Sequence, residues 1–169
     1  MKRVADTLIT PRMVLRQPRA DDLPVYTAYC ASDRTRFVRG PFTEAQAFDK
    51  FAAMIGHWSL RGFGRWVMEF NGEPVGHAGP LQSEAGCPPE LTWTLWLGAH
   101  EGKGLASEAA RAAARHLLTD CGWPLLLIRI DPDNAASLRV AEKLGATPAD
   151  RPAPDWYPGA LTFDLAGAA

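Results

Sequence analysis

Cysteine is scarce in this chain: Cys30, Cys87 and Cys121 are odd in number and widely spaced. That excludes a disulfide framework, offers no C-x-x-C pair for a metal, and fits a reducing compartment. Long apolar runs are missing too. No stretch approaches the roughly 18 residues needed to cross a bilayer, and Met1-Lys2-Arg3-Val4-Ala5-Asp6 lacks the apolar core of a signal peptide. The expectation is a cytoplasmic protein with no membrane partner and no metal. Neither sign of charge dominates, because 18 Lys and Arg face 19 Asp and Glu for a formal charge of −1. No general attraction to nucleic acid follows. The local Arg34, Arg36, Arg39 cluster is read as a solvated rim. No repeat, charge block or linker interrupts residues 1–169, which suit one domain.

What is present centres on Glu101-Gly102-Lys103-Gly104-Leu105-Ala106. Before it, Glu90 to Leu97 alternates apolar with mostly polar residues, the period of a strand with one buried face. Glu90, Thr92, Thr94 and Trp96 fall on one side, and Leu91, Trp93, Leu95 and Leu97 on the other. After it, Leu105, Ala109, Ala113 and Leu117 recur every four residues, so a helix to about Cys121 turns one stripe inward, with Gly122 as its cap. A helix start presents unpaired N–H groups and the positive end of the macrodipole, so an anion can be held there by main chain alone. Gly102 and Gly104 remove the Cβ atoms that would block it. The G-x-x-x-x-G-K-[ST] spacing is absent, which disfavours a nucleotide-phosphate loop.

The rest of the chain reads as strands and helices around that unit. Leu8 to Gln17 predicts a first strand, Ala20-Asp21-Asp22 opens a helix with Leu23, Tyr26 and Cys30 inward, and residues 33 to 42 form a loop. Thr43 with Gln46 is a capping box for a second helix whose apolar side is Phe48, Phe51, Ala52 and Ile55. Asn71-Gly72 predicts a type I′ hairpin between strands 64–70 and 74–81. Leu125 to Ile130 is a buried strand parallel to 90–97, Asn134 starts a last helix ending at Gly145, and a proline-rich tail precedes a closing strand 160–165.

The glycine turn resembles the acyl-CoA signature Q/R-x-x-G-x-G/A of the GNAT N-acetyltransferases, with Glu101 standing where that family has Gln or Arg. Glu101 is expected to point away or pair with Lys103. Asp133-Asn134-Ala135-Ala136-Ser137 through Lys143-Leu144-Gly145 is similar to the family's N-x-x-S…K-L-G-F segment, with Ala146 in place of the aromatic. Leu15-Arg16…Asp21-Asp22 is similar to its N-terminal L-R…D-D. The likeness spans nearly the whole chain and lies nearest the branch that acetylates ribosomal-protein N-termini.

That resemblance implies an α/β fold with a mixed, largely antiparallel sheet, splayed at one point and flanked by helices. It implies acetyl-CoA as co-substrate, with the pantetheine arm against Trp93 to Leu97, Trp96 and Leu97 included, and the diphosphate on the amides of Gly102, Lys103, Gly104, Leu105 and Ala106. Asn134 and Ser137 are expected at the arm; Arg111 or Lys143 either helps the adenine end or faces solvent. The acceptor is a primary amine, and residues 33–63 wall its cleft. Glu90 is the candidate base, directly or through water, or else a plain strand-end glutamate; His77 is the second candidate. Tyr157 or Ser137 matches the proton donor to the departing sulfur. Trp58, Trp66 and Trp96 are placed in the acceptor pocket, Trp156 at its gate and Trp93 in the core. The rival readings are a CoA-binding regulatory module without turnover and an enzyme using another acyl-CoA. Monomer and homodimer stay open.

Overall fold

The computed structural model describes residues 2–167. The chain passes through β1 (Thr7–Ile9), β2 (Met13–Arg16), α1 (Leu23–Ala31), α2 (Glu44–Arg61), β3 (Trp66–Phe70) and β4 (Glu73–Leu81). It continues through β5 (Glu90–Leu95), α3 (Leu105–Arg115), β6 (Leu125–Ile130), α4 (Ala135–Leu144), β7 (Thr147–Pro148) and β8 (Leu161–Ala166). The strands form one sheet in the order β1-β2-β3-β4-β5-β6-β8-β7, antiparallel throughout except for β5 beside β6. A parallel pair needs a crossover, and α3 supplies it.

Local chemistry sets most boundaries. Asn71 and Gly72 both take positive φ, 51° and 78°, as a type I′ turn between β3 and β4 requires. Thr43 accepts a hydrogen bond from the Gln46 amide while the Gln46 side chain accepts from the Thr43 amide, a cap worth about 1 kcal/mol to α2. The expected first strand is in fact two. Thr10 and Met13 bond to each other through main chain and hydroxyl, and Pro11 between them has no N–H to give a ladder, so the chain reverses and β1 pairs with β2.

Alternate residues of the sheet feed two cores. On one face Leu15, Trp66, Met68, Val75 and Leu91 pack under α3 and α4, where Leu105, Ala109 and Ala113 of α3 and Leu117 just beyond its end are all fully buried. Alanine at two of these positions lets the helix axis lie close to the strands. On the other face Val67 and Trp96 meet Tyr26, Tyr29 and Cys30 of α1 and Ala47, Phe51 and Met54 of α2. Phe48 and Ile55, expected on that inner side, are 58% and 38% exposed. The buried stripe is Ala47, Phe51, Met54, Trp58, which leaves them on its flank.

Three other boundaries differ from expectation. Residues Asp33–Val38 form a 3₁₀ helix rather than a plain loop, begun by Ser32, whose hydroxyl accepts from the Arg34 amide. α3 stops at Arg115 and continues as a π turn, His116–Asp120, in which the Cys121 amide reaches the His116 carbonyl. β5 ends at Leu95, two residues early. Among the described residues no helix is long and apolar enough to cross a membrane.

Candidate active site

The parallel ladder of β5 and β6 carries a single residue pair, Glu90 with Leu127, closed by the Leu127 amide donating to the Pro89 carbonyl at 2.9 Å. Beyond it the strands part. The Trp96 amide donates to the Val75 carbonyl of β4, so the alternation of a strand turns the main-chain groups of Leu91, Trp93 and Leu95 toward the gap. A buried peptide group left unpaired costs on the order of 1–3 kcal/mol. The gap therefore suits an amide-bearing chain laid along it as an extra strand.

At the wide end of the gap lies the glycine turn. Gly102 and Gly104 both have φ of 75°, and Gly104 is the N-cap of α3 with no side-chain cap bond on the helix start. The amides that open α3 are thus exposed to an anion, and Arg12 of the β1–β2 turn stands beside them. Its Nη1 donates to the Lys103 carbonyl at 2.7 Å and its Nε to Glu108 at 2.8 Å. Next to this turn a groove of about 800 Å³ is lined by Arg12, Gly104, Ser107, Arg111 and Lys143, among others.

Across the gap α4 presents its own start. Asn134 Oδ1 accepts from the Ser137 amide at 3.2 Å, and the Ser137 hydroxyl accepts from Trp93 Nε1 at 3.3 Å. Trp93 packs against the core as expected but is only half buried, its indole reaching from β5 to α4. Trp96 gives its amide to Val75 and buries its ring, 1% exposed, donating from Nε1 to His77 Nδ1 at 2.9 Å. Expected beside the pantetheine arm, Trp96 instead turns its main chain to β4 and its ring into the core under α1 and α2, while the main-chain groups of Trp93 and Leu95 face the gap. Leu97 stays half buried next to the turn.

Glu90 sits where the strands divide. It is 8% exposed, and Arg129 Nη1 lies 2.9 Å from its Oε2. Burial raises the Glu90 carboxyl above the ordinary carboxylate range, opposed by the charges of Arg129 and Arg65. His77 is 5% exposed, and burial with Arg65 nearby holds its ring well below the usual histidine range. Tyr157 donates its hydroxyl to the Phe37 carbonyl at 2.7 Å, and burial pushes that hydroxyl up. Trp156, 56% exposed, stacks on Tyr157 and lies 5.9 Å from the Arg129 guanidinium carbon.

Several side chains take places that local sequence did not indicate. Glu101 pairs with Arg34, Nη1 to Oε1 at 2.7 Å, while Lys103 lies over the Phe70 ring. Arg34 is therefore no solvated rim residue: its side chain is 21% exposed and also donates to the Leu95 carbonyl. Trp58 and Trp66, expected to line the acceptor pocket, pack edge-to-face in the core cluster that also holds the inward residues of α3, at 7% and 0% exposure. Arg16 and Asp22 of the N-terminal pattern form a two-pronged ion pair at 2.9 and 2.8 Å, with Glu69 against the same guanidinium. That pattern pins α1 to the sheet. Arg12 and Arg34 lie 91 and 67 residues from the carbonyl and carboxylate they hold, and no local signal announces such contacts.

Known proteins share this fold. The family model for an acetyltransferase (GNAT) domain matches residues 12–147. The chain is 36% identical over 98 residues to the uncharacterized protein YkkB of Bacillus subtilis, a match covering 53% of this chain, and spans 56% of the length of that curated relative. The crystal structure of an acetyltransferase from Agrobacterium tumefaciens C58 superposes with a TM-score of 0.86 at 30% identity, covering 98% of this chain and 96% of the other. Mycobacterium smegmatis RimJ, in complex with CoA-disulfide, shares the fold at a TM-score of 0.73 and 16% identity, covering 95% and 87%. With a turn, a split sheet and a family match over most of its length, this chain belongs to the GNAT acetyltransferase family.

Proposed function

We propose that this chain is an acetyl-CoA-dependent N-acetyltransferase that moves the acetyl group to a primary amine, at a protein N-terminus or on a small molecule, by direct attack on the thioester. The observation that carries this reading is the parting of β5 from β6 after one residue pair, with a buried carboxylate at the point of division. The amides of residues 102 to 106 hold the diphosphate, and Trp93, Leu97 and the Leu95 N–H offer main-chain partners to the arm, the Leu95 carbonyl being held by Arg34. Asn134 reaches the arm with the amide nitrogen that its capping oxygen leaves over.

Attack needs a neutral amine. An α-amine with a pKa of about 8 is partly neutral near pH 7, whereas a lysine amine near about 10.4 needs more help. Glu90, its carboxyl raised by burial, takes that proton directly or through water. His77 is the weaker choice because Trp96 already occupies its Nδ1. The departing thiolate, with a pKa near about 8.5, gains from a donor without depending on one. Ser137 has a hydroxyl proton to give, since the bond from Trp93 uses its oxygen as acceptor; the Tyr157 proton is already committed to Phe37.

The test is to mix the protein with acetyl-CoA and a panel of primary amines, peptide N-termini included, and to follow free thiol. Thiol release that depends on the amine is expected. Binding of acetyl-CoA with no release across the panel would overturn turnover and leave a CoA-binding module.

A further inference from the structure

The short segment from Ser32 to Arg39 touches both sides of the site at once. Arg34 donates from Nε and Nη2 to the Leu95 carbonyl at 3.3 and 3.1 Å, at the open edge of β5, and from Nη1 to Glu101 at 2.7 Å. Three residues on, the Phe37 carbonyl accepts the Tyr157 hydroxyl, and Arg39 Nη1 donates to the Trp156 carbonyl at 3.1 Å. The segment is braced within itself, since the Thr35 hydroxyl donates to the Ser32 carbonyl at 2.7 Å and Thr35 is fully buried. A pull at Arg34 is thus passed to the loop that carries Trp156 and Tyr157.

Charge gives the segment a second role. Glu101 is a carboxylate on the turn whose amides face the diphosphate, and alone it would repel that group. The Arg34 guanidinium cancels it from a less exposed position, 21% against 64%. It also leaves N–H groups on Nη1 and Nη2 free for an anion. A β carbon placed on Gly98 would lie 3.3 Å from Arg34 Nη1, so the guanidinium lies against the backbone three residues before Glu101.

We propose that Arg34 is a positioning residue for acetyl-CoA, supplying the positive charge that the turn lacks at Glu101 and linking the cofactor side to the acceptor-side loop through Phe37 and Arg39. The proposal rests on the acetyltransferase reading given above. It separates two effects that a simple brace would not: removing the arginine and removing the carboxylate have opposite consequences for the diphosphate.

The experiment is calorimetric binding of CoA and of pantetheine, which has no diphosphate, to wild type, Arg34→Ala and Glu101→Gln. Hydrogen exchange of residues 149–160 is followed with and without CoA. Arg34→Ala is expected to weaken CoA about tenfold while pantetheine changes by less than about twofold. Glu101→Gln is expected to tighten CoA by about threefold. CoA slows exchange of residues 149–160 in wild type but not in Arg34→Ala. Equal loss of CoA affinity in both variants, unchanged affinity in Arg34→Ala, or no protection of 149–160 in wild type overturns the proposal. Should Arg34→Ala fail to fold, the sign of the Glu101→Gln effect still decides. Failure of wild type to bind CoA at all would instead sink the acetyltransferase reading beneath it.

Discussion

Arg129 holds Glu90, Nη1 to Oε2 at 2.9 Å, at the last residue where β5 and β6 are joined. The pair is largely buried, with side-chain exposures of 18% and 11%. Arg129 opposes the effect of burial on the carboxyl, but burial prevails and leaves it raised. A base so tuned is stronger than a surface glutamate.

The acid limb of the rate profile follows from that direction. The base works ionised, and a raised carboxyl takes up its proton at a higher pH than an ordinary glutamate, about 4.3. Acidification should therefore cut kcat/KM at a pH clearly above that value, and Glu90→Gln should replace this limb with one set by the pKa of the amine alone. In the variant, turnover near pH 7 should fall by about a hundredfold and recover partly at high pH, where the amine loses its proton unaided. Equal activity of variant and wild type across the range would exclude Glu90 as base.

Gly104 combines a φ of 75° with its place at the mouth of α3. A β-branched residue is strained there and fills the approach to the helix amides. Gly104→Val should weaken CoA by more than about tenfold, measured by equilibrium binding, with a smaller effect on pantetheine. Retained affinity would place the diphosphate elsewhere.

Ser137 and Tyr157 are told apart by their protons. The Ser137 oxygen accepts from Trp93, whereas the Tyr157 hydroxyl donates to Phe37. Ser137→Ala should lower kcat by about tenfold, and Tyr157→Phe by no more than about twofold, if a donated hydrogen bond to the leaving sulfur is worth the usual amount. Single-turnover rates for both variants check it. The reverse order would assign the donor role to Tyr157.

Asp22 is 1% exposed and holds Arg16 with both oxygens. Asp22→Ala strands a guanidinium that is itself mostly buried, at a cost of about 3 kcal/mol. For a chain of this size the melting temperature should drop by about 6–12 °C, with CoA affinity little changed below the transition. A shift under about 2 °C would show that Arg16 is held well enough by Glu69.

Local signals in the sequence were enough wherever partners lie within a few residues. The Thr43–Gln46 cap, the Asn71-Gly72 turn, the Asn134 cap and the inward stripe of α3 depend on spacing of two to four residues, and each has the form that spacing dictates. Contacts between distant segments were not legible. Nothing near Arg34 or Arg12 tells that the first reaches Glu101 or that the second reaches Lys103 and Glu108, because the fold alone brings them together. Amphipathic period likewise gives α2 an apolar side but not its phase, so it points Phe48 inward whereas Met54 is the buried residue. Bulk hydrophobicity does not tell pocket from core, so the sequence offers Trp58 and Trp66 to the acceptor pocket while both side chains are buried in the core.

The most direct measurement is a crystal structure with CoA bound. The account predicts the diphosphate within hydrogen-bond distance of the amides of residues 102 to 106, and the pantetheine arm along Trp93 and Leu95 with its thiol end toward Glu90. A diphosphate bound away from the start of α3, or an arm that does not enter between β5 and β6, would contradict it.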